Sequence, residues 1–210
     1  DYFGKEIYVG SNETKVVFVD VTDKSDPKLI SEFFYDDEYT HQAWLTEDHT
    51  YALLGDELDE LDKSTQPWSL KSDVETRTIV IDISDLDSPV LHFNYLSDTE
   101  AIDHNGYIVD TNYYLASYTS GLRVIDIINI EQKSFTEVGF FDTHNDDHDH
   151  NTIGLTLARS SGDPGDHTGK KGQEIEAFNG AWSVYPFFNS ENILISDINS
   201  GLFIVKKKAN

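Results

Sequence analysis

The 210 residues carry 39 acidic side chains against 15 basic ones, a formal charge of −24, and 38% of them are hydrophobic. That apolar fraction furnishes the core of one large all-β domain or two small ones, while the carboxylate excess repels a phosphate backbone and excludes nucleic acid as a partner. No cysteine is present, which removes disulfides and thiolate metal sites, and no window approaches the ~18 apolar residues of a membrane-spanning helix.

Ile7 to Asn12 and Thr14-Lys15-Val16-Val17-Phe18-Val19-Asp20-Val21 are rich in β-branched residues and predict two strands joined by the turn Ser11-Asn12-Glu13. Asp26-Pro27 then turns the chain into a third strand, Lys28 to Tyr35. A unit of four follows: Thr40-His41-Gln42-Ala43-Trp44-Leu45, Tyr51 to Asp56, Thr76 to Ile83 and, past Ser88-Pro89, Val90 to Leu96. The same order recurs in Asp103 to Ile108, Tyr113 to Thr119, Gly121 to Ile127 and Phe135 to Phe141. Phe178 to Ser183, Ile193 to Asn199 and Gly201 to Val205 repeat its first three members. Lettered A to D within a unit, the strands read B-C-D, A-B-C-D, A-B-C-D, A-B-C, with no helical periodicity.

Antiparallel units of four strands repeating every ~40–50 residues are the signature of β-propeller blades. The predicted fold is therefore an all-β propeller with about four blades represented and an incomplete ring. The chain reads as one propeller portion over 1–210: a partial blade at 1–39, blades at 40–98 and 99–142, an insertion at 143–177 and a partial blade at 178–210. A two-sheet sandwich does not account for the polar residue recurring at the head of each A strand. An open ring leaves apolar sheet edges bare, so an N-terminal propeller portion or a second polypeptide is the expected partner.

In a propeller the A strand lines the channel, and the D-to-A and B-to-C loops open on one face. Both long insertions fall there, as do His41, His104 and Asn179, which align at one place when the A strands are matched on the aromatics Trp44, Tyr107 and Trp182. Loop elaboration on one face of a rigid scaffold marks a recognition surface, so these three are the expected ligand-binding residues of the channel mouth. Hydrogen-bonded struts between blades are the alternative for the imidazoles, and Trp44, Tyr107 and Trp182 are expected to pack between blades. The acidic run Asp56-Glu57-Leu58-Asp59-Glu60 offers closely spaced hard oxygens, and Asp56, Glu57, Asp59 and Glu60 are candidate Ca²⁺ ligands. His144, His148 and His150, interleaved with carboxylates, are candidate ligands for Zn²⁺ or a neighbour in the series. A solvated acidic loop and adventitious metal affinity are the plain alternatives. No nucleophile elbow, zinc-protease helix or glycine-rich nucleotide loop is present, so no catalytic residue is assigned.

The segments Val17-Phe18-Val19-Asp20-Val21, Ile79-Val80-Ile81-Asp82-Ile83 and Arg123-Val124-Ile125-Asp126-Ile127 resemble the LVIVD repeat. Together with the segments around His41, Glu57, His104 and Phe178 to Phe188, their order is similar to the C-terminal half of the choice-of-anchor B proteins. The resemblance implies a bacterial secreted or surface-displayed propeller with further repeats upstream. It implies no biochemical activity. The expected function is a non-catalytic recognition or scaffold module, calcium-stabilised, with a metal-dependent hydrolase or lyase at the channel mouth as the alternative.

Overall fold

The computed structural model describes residues 2–36, 39–60, 75–144 and 177–208. Among them run fourteen strands: β1 (Ile7–Ser11), β2 (Val16–Asp20), β3 (Lys28–Phe33), β4 (Thr40–Leu45), β5 (Tyr51–Asp56), β6 (Arg77–Asp82), β7 (Val90–Leu96), β8 (Gly106–Val109), β9 (Asn112–Ala116), β10 (Leu122–Asn129), β11 (Ser134–Phe141), β12 (Ala181–Tyr185), β13 (Asn192–Asp197) and β14 (Gly201–Lys206). They pair antiparallel into four separate sheets, ordered β1-β2-β3, β4-β5-β6-β7, β8-β9-β10-β11 and β12-β13-β14. This is the predicted grouping of three, four, four and three strands. The innermost strands follow one another, β1 beside β4, β4 beside β8 and β8 beside β12.

The unbroken apolar runs of the middle strands in the second and third sheets follow from that arrangement, because each of those two sheets has a neighbour on either face. Ala52, Leu54, Ile79 and Ile81 pack against Val16, Phe18 and Phe33 of the first sheet. The alternate residues Leu53 and Val80 point the other way, onto Tyr113, Leu115, Ile125 and Ile127 of the third. Ala116 and Leu122 then meet Val184, Ile193 and Ile195 of the fourth. Each fully buried aliphatic side chain contributes about 1.5–3 kcal/mol relative to exposure.

Every C-to-D pairing carries a bulge at one repeated place, between Phe18 and Val19, Val80 and Ile81, and Val124 and Ile125. Such a bulge bends and twists the outer strand. The aspartate that ends each C segment turns the chain: Asp20, Asp82 and Asp126 each accept a backbone N–H two residues on, from Thr22, Ser84 and Ile128. No described helix is long and apolar enough to cross a membrane.

Candidate functional site

The A strands are irregular at their heads, and the irregularity builds the site. In β4, Thr40 pairs with Asp56 and Gln42 with Gly55, so His41 is the extra residue of a bulge. In β12, Ala181 pairs with Asp197 and Ser183 with Ser196, which leaves Trp182 in the same role. His104 stands just ahead of β8, tied by its N–H to the Ala116 carbonyl at 2.9 Å. The ladder register therefore makes Trp182 the counterpart of His41, where matching on aromatics had placed Asn179.

These heads meet. The His41 and His104 rings lie 4.1 Å apart, and the His104 and Trp182 rings 4.9 Å. Glu57, the residue after β5, reaches between the imidazoles: Oε2 is 3.1 Å from His41 Nδ1 and Oε1 is 3.6 Å from His104 Nε2. Tyr118 Oη donates to the same Oε1 at 2.7 Å. His104 Nδ1 lies 2.6 Å from the Trp182 carbonyl oxygen. A carbonyl only accepts, so the proton of neutral His104 resides on Nδ1 and its Nε2 lone pair faces Glu57. The side chains of His104, Glu57 and His41 are 3%, 15% and 30% exposed, so the cluster opens gradually toward solvent on the His41 side.

The backbone around Tyr118 locks this arrangement. Tyr118 is buried, has a positive φ of 21°, and its carbonyl accepts from Ala181 N at 2.8 Å, joining the third sheet to the fourth. Gly180 permits the junction: its φ is +98°, and a Cβ there would stand 2.2 Å from the Tyr118 oxygen.

Burial pulls the Glu57 carboxyl upward in pKa, but hydrogen bonds from His41 and Tyr118 and the nearby imidazoles outweigh it and hold the group below its usual range. Burial, helped by His41, lowers His104 and favours the neutral ring. Burial and the hydrogen bond to Glu57 raise Tyr118, which keeps its proton. Beneath the cluster, Asp103 and Glu60 are pushed well up, first by burial and then by the charge of Asp59. Asp103 is fully buried, and neither of its oxygens has a hydrogen-bond partner among the described residues. It lies close against Gly55, where a Cβ would stand 2.9 Å from Asp103 Oδ2.

The candidate residues thus separate into several environments. His41, His104 and Glu57 converge, with their ligand atoms all within 4.8 Å of one another, and they are the one such group of metal-binding type among the described residues. The other members of the acidic run turn away from it. Asp56 accepts the backbone N–H groups of Tyr39, Leu58 and Asp59 at 2.9, 3.2 and 3.2 Å. Asp59 pairs with Arg77 Nε at 2.6 Å, and Glu60 accepts Arg77 N at 3.0 Å. Asn179 Oδ1 accepts from Asn199 Nδ2 at 3.1 Å, which places it in a corner of the fourth sheet. The backbone N–H of His144 donates to Asp142 at 2.9 Å, while His148 and His150 lie outside the described residues. Trp44 and Tyr107 pack edge to face between their sheets at 4.9 Å, but Trp182 remains 48% exposed beside the cluster.

Sequence reasoning missed Tyr118 and Trp182 as members of the site. Tyr118 stands in what reads as a plain hairpin turn, and Trp182 contributes a backbone oxygen, which no side-chain pattern reports.

Residues 3–34 and 73–97 match the family model of the LVIVD repeat. The chain carries LVIVD repeats on a β-propeller fold. It superimposes on the β-propeller domain of Cps50 (Swd1) from Myceliophteria thermophila with a TM-score of 0.53 at 10% identity, covering 97% of this chain and 52% of that one. A protein from Lactobacillus plantarum gives 0.57 at 11% identity, covering 95% of this chain and 52% of that one. The chain thus spans about half the length of these solved structures, and the likeness concerns the fold alone. Among curated proteins, none matches it.

Proposed function

We propose that the chain is a non-catalytic recognition or scaffold module of an extracellular propeller, and that it binds through the mouth where His41, Glu57, His104 and Trp182 meet. One observation carries the reading: the heads of three successive inner strands and the first residue of an insertion bring their polar groups to a single point that opens to solvent. The LVIVD match supports the extracellular location, because these repeats are typical of bacterial extracellular proteins.

The test pairs location with binding. Full-length protein is expected in the culture supernatant or accessible to added protease on intact cells, and confinement to the cytoplasm would refute the location. On glycan and peptide arrays, a specific signal is expected that Trp182→Ala abolishes. An array signal unaffected by that change would move the binding face elsewhere. Turnover of ester, amide, phosphoester or glycoside substrates that disappears in Glu57→Gln would replace the module with a hydrolase.

A further inference from the structure

We infer that His41, Glu57 and His104 form a binding site for one divalent transition ion of the zinc class. Two imidazoles and a carboxylate are the donor set such ions prefer. A tetrahedral Zn²⁺ with ligands at about 2.0–2.2 Å holds its donor atoms about 3.3–3.5 Å from one another. The two observed donor spacings, 3.1 Å for His41 Nδ1 to Glu57 Oε2 and 3.6 Å for His104 Nε2 to Glu57 Oε1, bracket that distance. Each of these spacings uses a different oxygen of Glu57; taking one donor atom per residue, the three lie within 4.8 Å of one another, so side-chain rotation must draw them together to close on an ion.

The surroundings of the donors point the same way. Metal-ligating histidines characteristically donate their other ring N–H to a carbonyl or carboxylate, which fixes the ring and the tautomer. His104 does this with the Trp182 oxygen at 2.6 Å. Glu57 is fixed in turn by Tyr118 Oη at 2.7 Å. Calcium fits poorly, because it takes about six to eight oxygens and a single carboxylate belongs to the converging group.

Three protein ligands leave a fourth position open, and His41, with its side chain 30% exposed, is the member of the set most open to solvent. The inference rests on the mouth being the binding face and supplies its chemistry: the ion would hold an oxygen or nitrogen donor of a ligand lying against Trp182.

The experiment uses the whole chain, made without a polyhistidine tag and stripped with chelator, titrated with Zn²⁺ in competition with a chromophoric chelator. Uptake of one tight equivalent is expected, with Co²⁺ giving the intense visible absorption of a four-coordinate site. His41→Ala, His104→Ala and Glu57→Gln should each weaken this site by at least about 100-fold, and Tyr118→Phe by about 10-fold. A variant with His144, His148 and His150 all changed to alanine should keep it. The inference is overturned if the stripped protein takes up no ion. It is equally overturned if uptake persists in folded His104→Ala protein but is lost in the triple variant. Should a substitution prevent folding, the Co²⁺ spectrum of the unaltered chain decides, a six-coordinate spectrum refuting the site. Metal uptake with no array signal would sink the recognition reading and leave the site standing. An array signal that survives chelation would refute the ion's part in recognition.

Discussion

Glu60 shows at the scale of one residue how this chain tolerates its carboxylates. Its side chain is fully buried, and Oε1 accepts the Arg77 N–H at 3.0 Å. Burial first, then the charges of Asp59 and Asp103, raise its pKa well above the ordinary value of 4.5. A carboxyl whose folded pKa is raised binds its proton more tightly in the folded state. Its stabilising contribution is complete below pH 4.5 and falls as pH rises from there toward the folded pKa. Glu60→Gln keeps the acceptor for Arg77 and removes the titration. Urea unfolding should find the variant more stable than the parent at pH 7 by about 1–3 kcal/mol, with the difference shrinking toward pH 4. A variant less stable than the parent at pH 7, with the deficit shrinking toward pH 4, would mean that the carboxylate, ionised, is an asset to the fold. Much of the site was legible at this scale. His41 and His104 stood out as polar residues heading apolar strands, whereas Glu57 was readable only as one of four candidate Ca²⁺ ligands in an acidic run, apart from the channel mouth. The run could not reveal that Asp56, Asp59 and Glu60 face the backbone and Arg77 while Glu57 alone faces the imidazoles, because that division depends on where β5 ends and Arg77 enters.

At the scale of the element, the strands were readable because packing leaves an alternation-free apolar signature. Leu53 and Leu54 are adjacent, and both are wholly buried against different neighbouring sheets. The bulges were not readable. A one-residue insertion in a ladder has no composition of its own, and matching A strands on their aromatics slid the fourth unit out of phase, so Asn179 stood where Trp182 belongs. Two substitutions test this level. Leu53→Ala removes a side chain with no exposure and should cost about 2–5 kcal/mol, whereas Leu202→Ala, 62% exposed on β14, should stay within about 0.5 kcal/mol. Equal effects in denaturant melts would contradict the sheet order. Gly180→Ala places a Cβ 2.2 Å from the Tyr118 oxygen at a φ of +98°. It should lower stability by about 1–3 kcal/mol and, by shifting Trp182, also weaken Zn²⁺ binding. Loss of stability with metal affinity unchanged would uncouple the junction from the mouth.

For the whole molecule, the sheets are separate hydrogen-bonded units held together by apolar faces, and the mouth cluster is a polar tie across three of them. His41 and Glu57 belong to the second sheet, His104 leads into the third, and the carbonyl that orients His104 belongs to the fourth. An ion bound there joins the second sheet directly to the third. A ligand that binds the folded state stabilises it by mass action, about 2.7 kcal/mol at one hundred times its dissociation constant. Zn²⁺ should therefore raise the unfolding temperature, a chelator should reverse the rise, and Ca²⁺ at equal concentration should leave the curve where it was. The histidines at 144, 148 and 150 complicate the measurement, since an unfolded chain can bind Zn²⁺ through such a stretch and diminish the apparent gain. Changing those three to alanine should therefore enlarge the zinc-dependent shift, whereas His104→Ala should remove it. A shift that follows the histidine-rich stretch instead, or one that Ca²⁺ reproduces, would show that the sheets are not tied through the mouth.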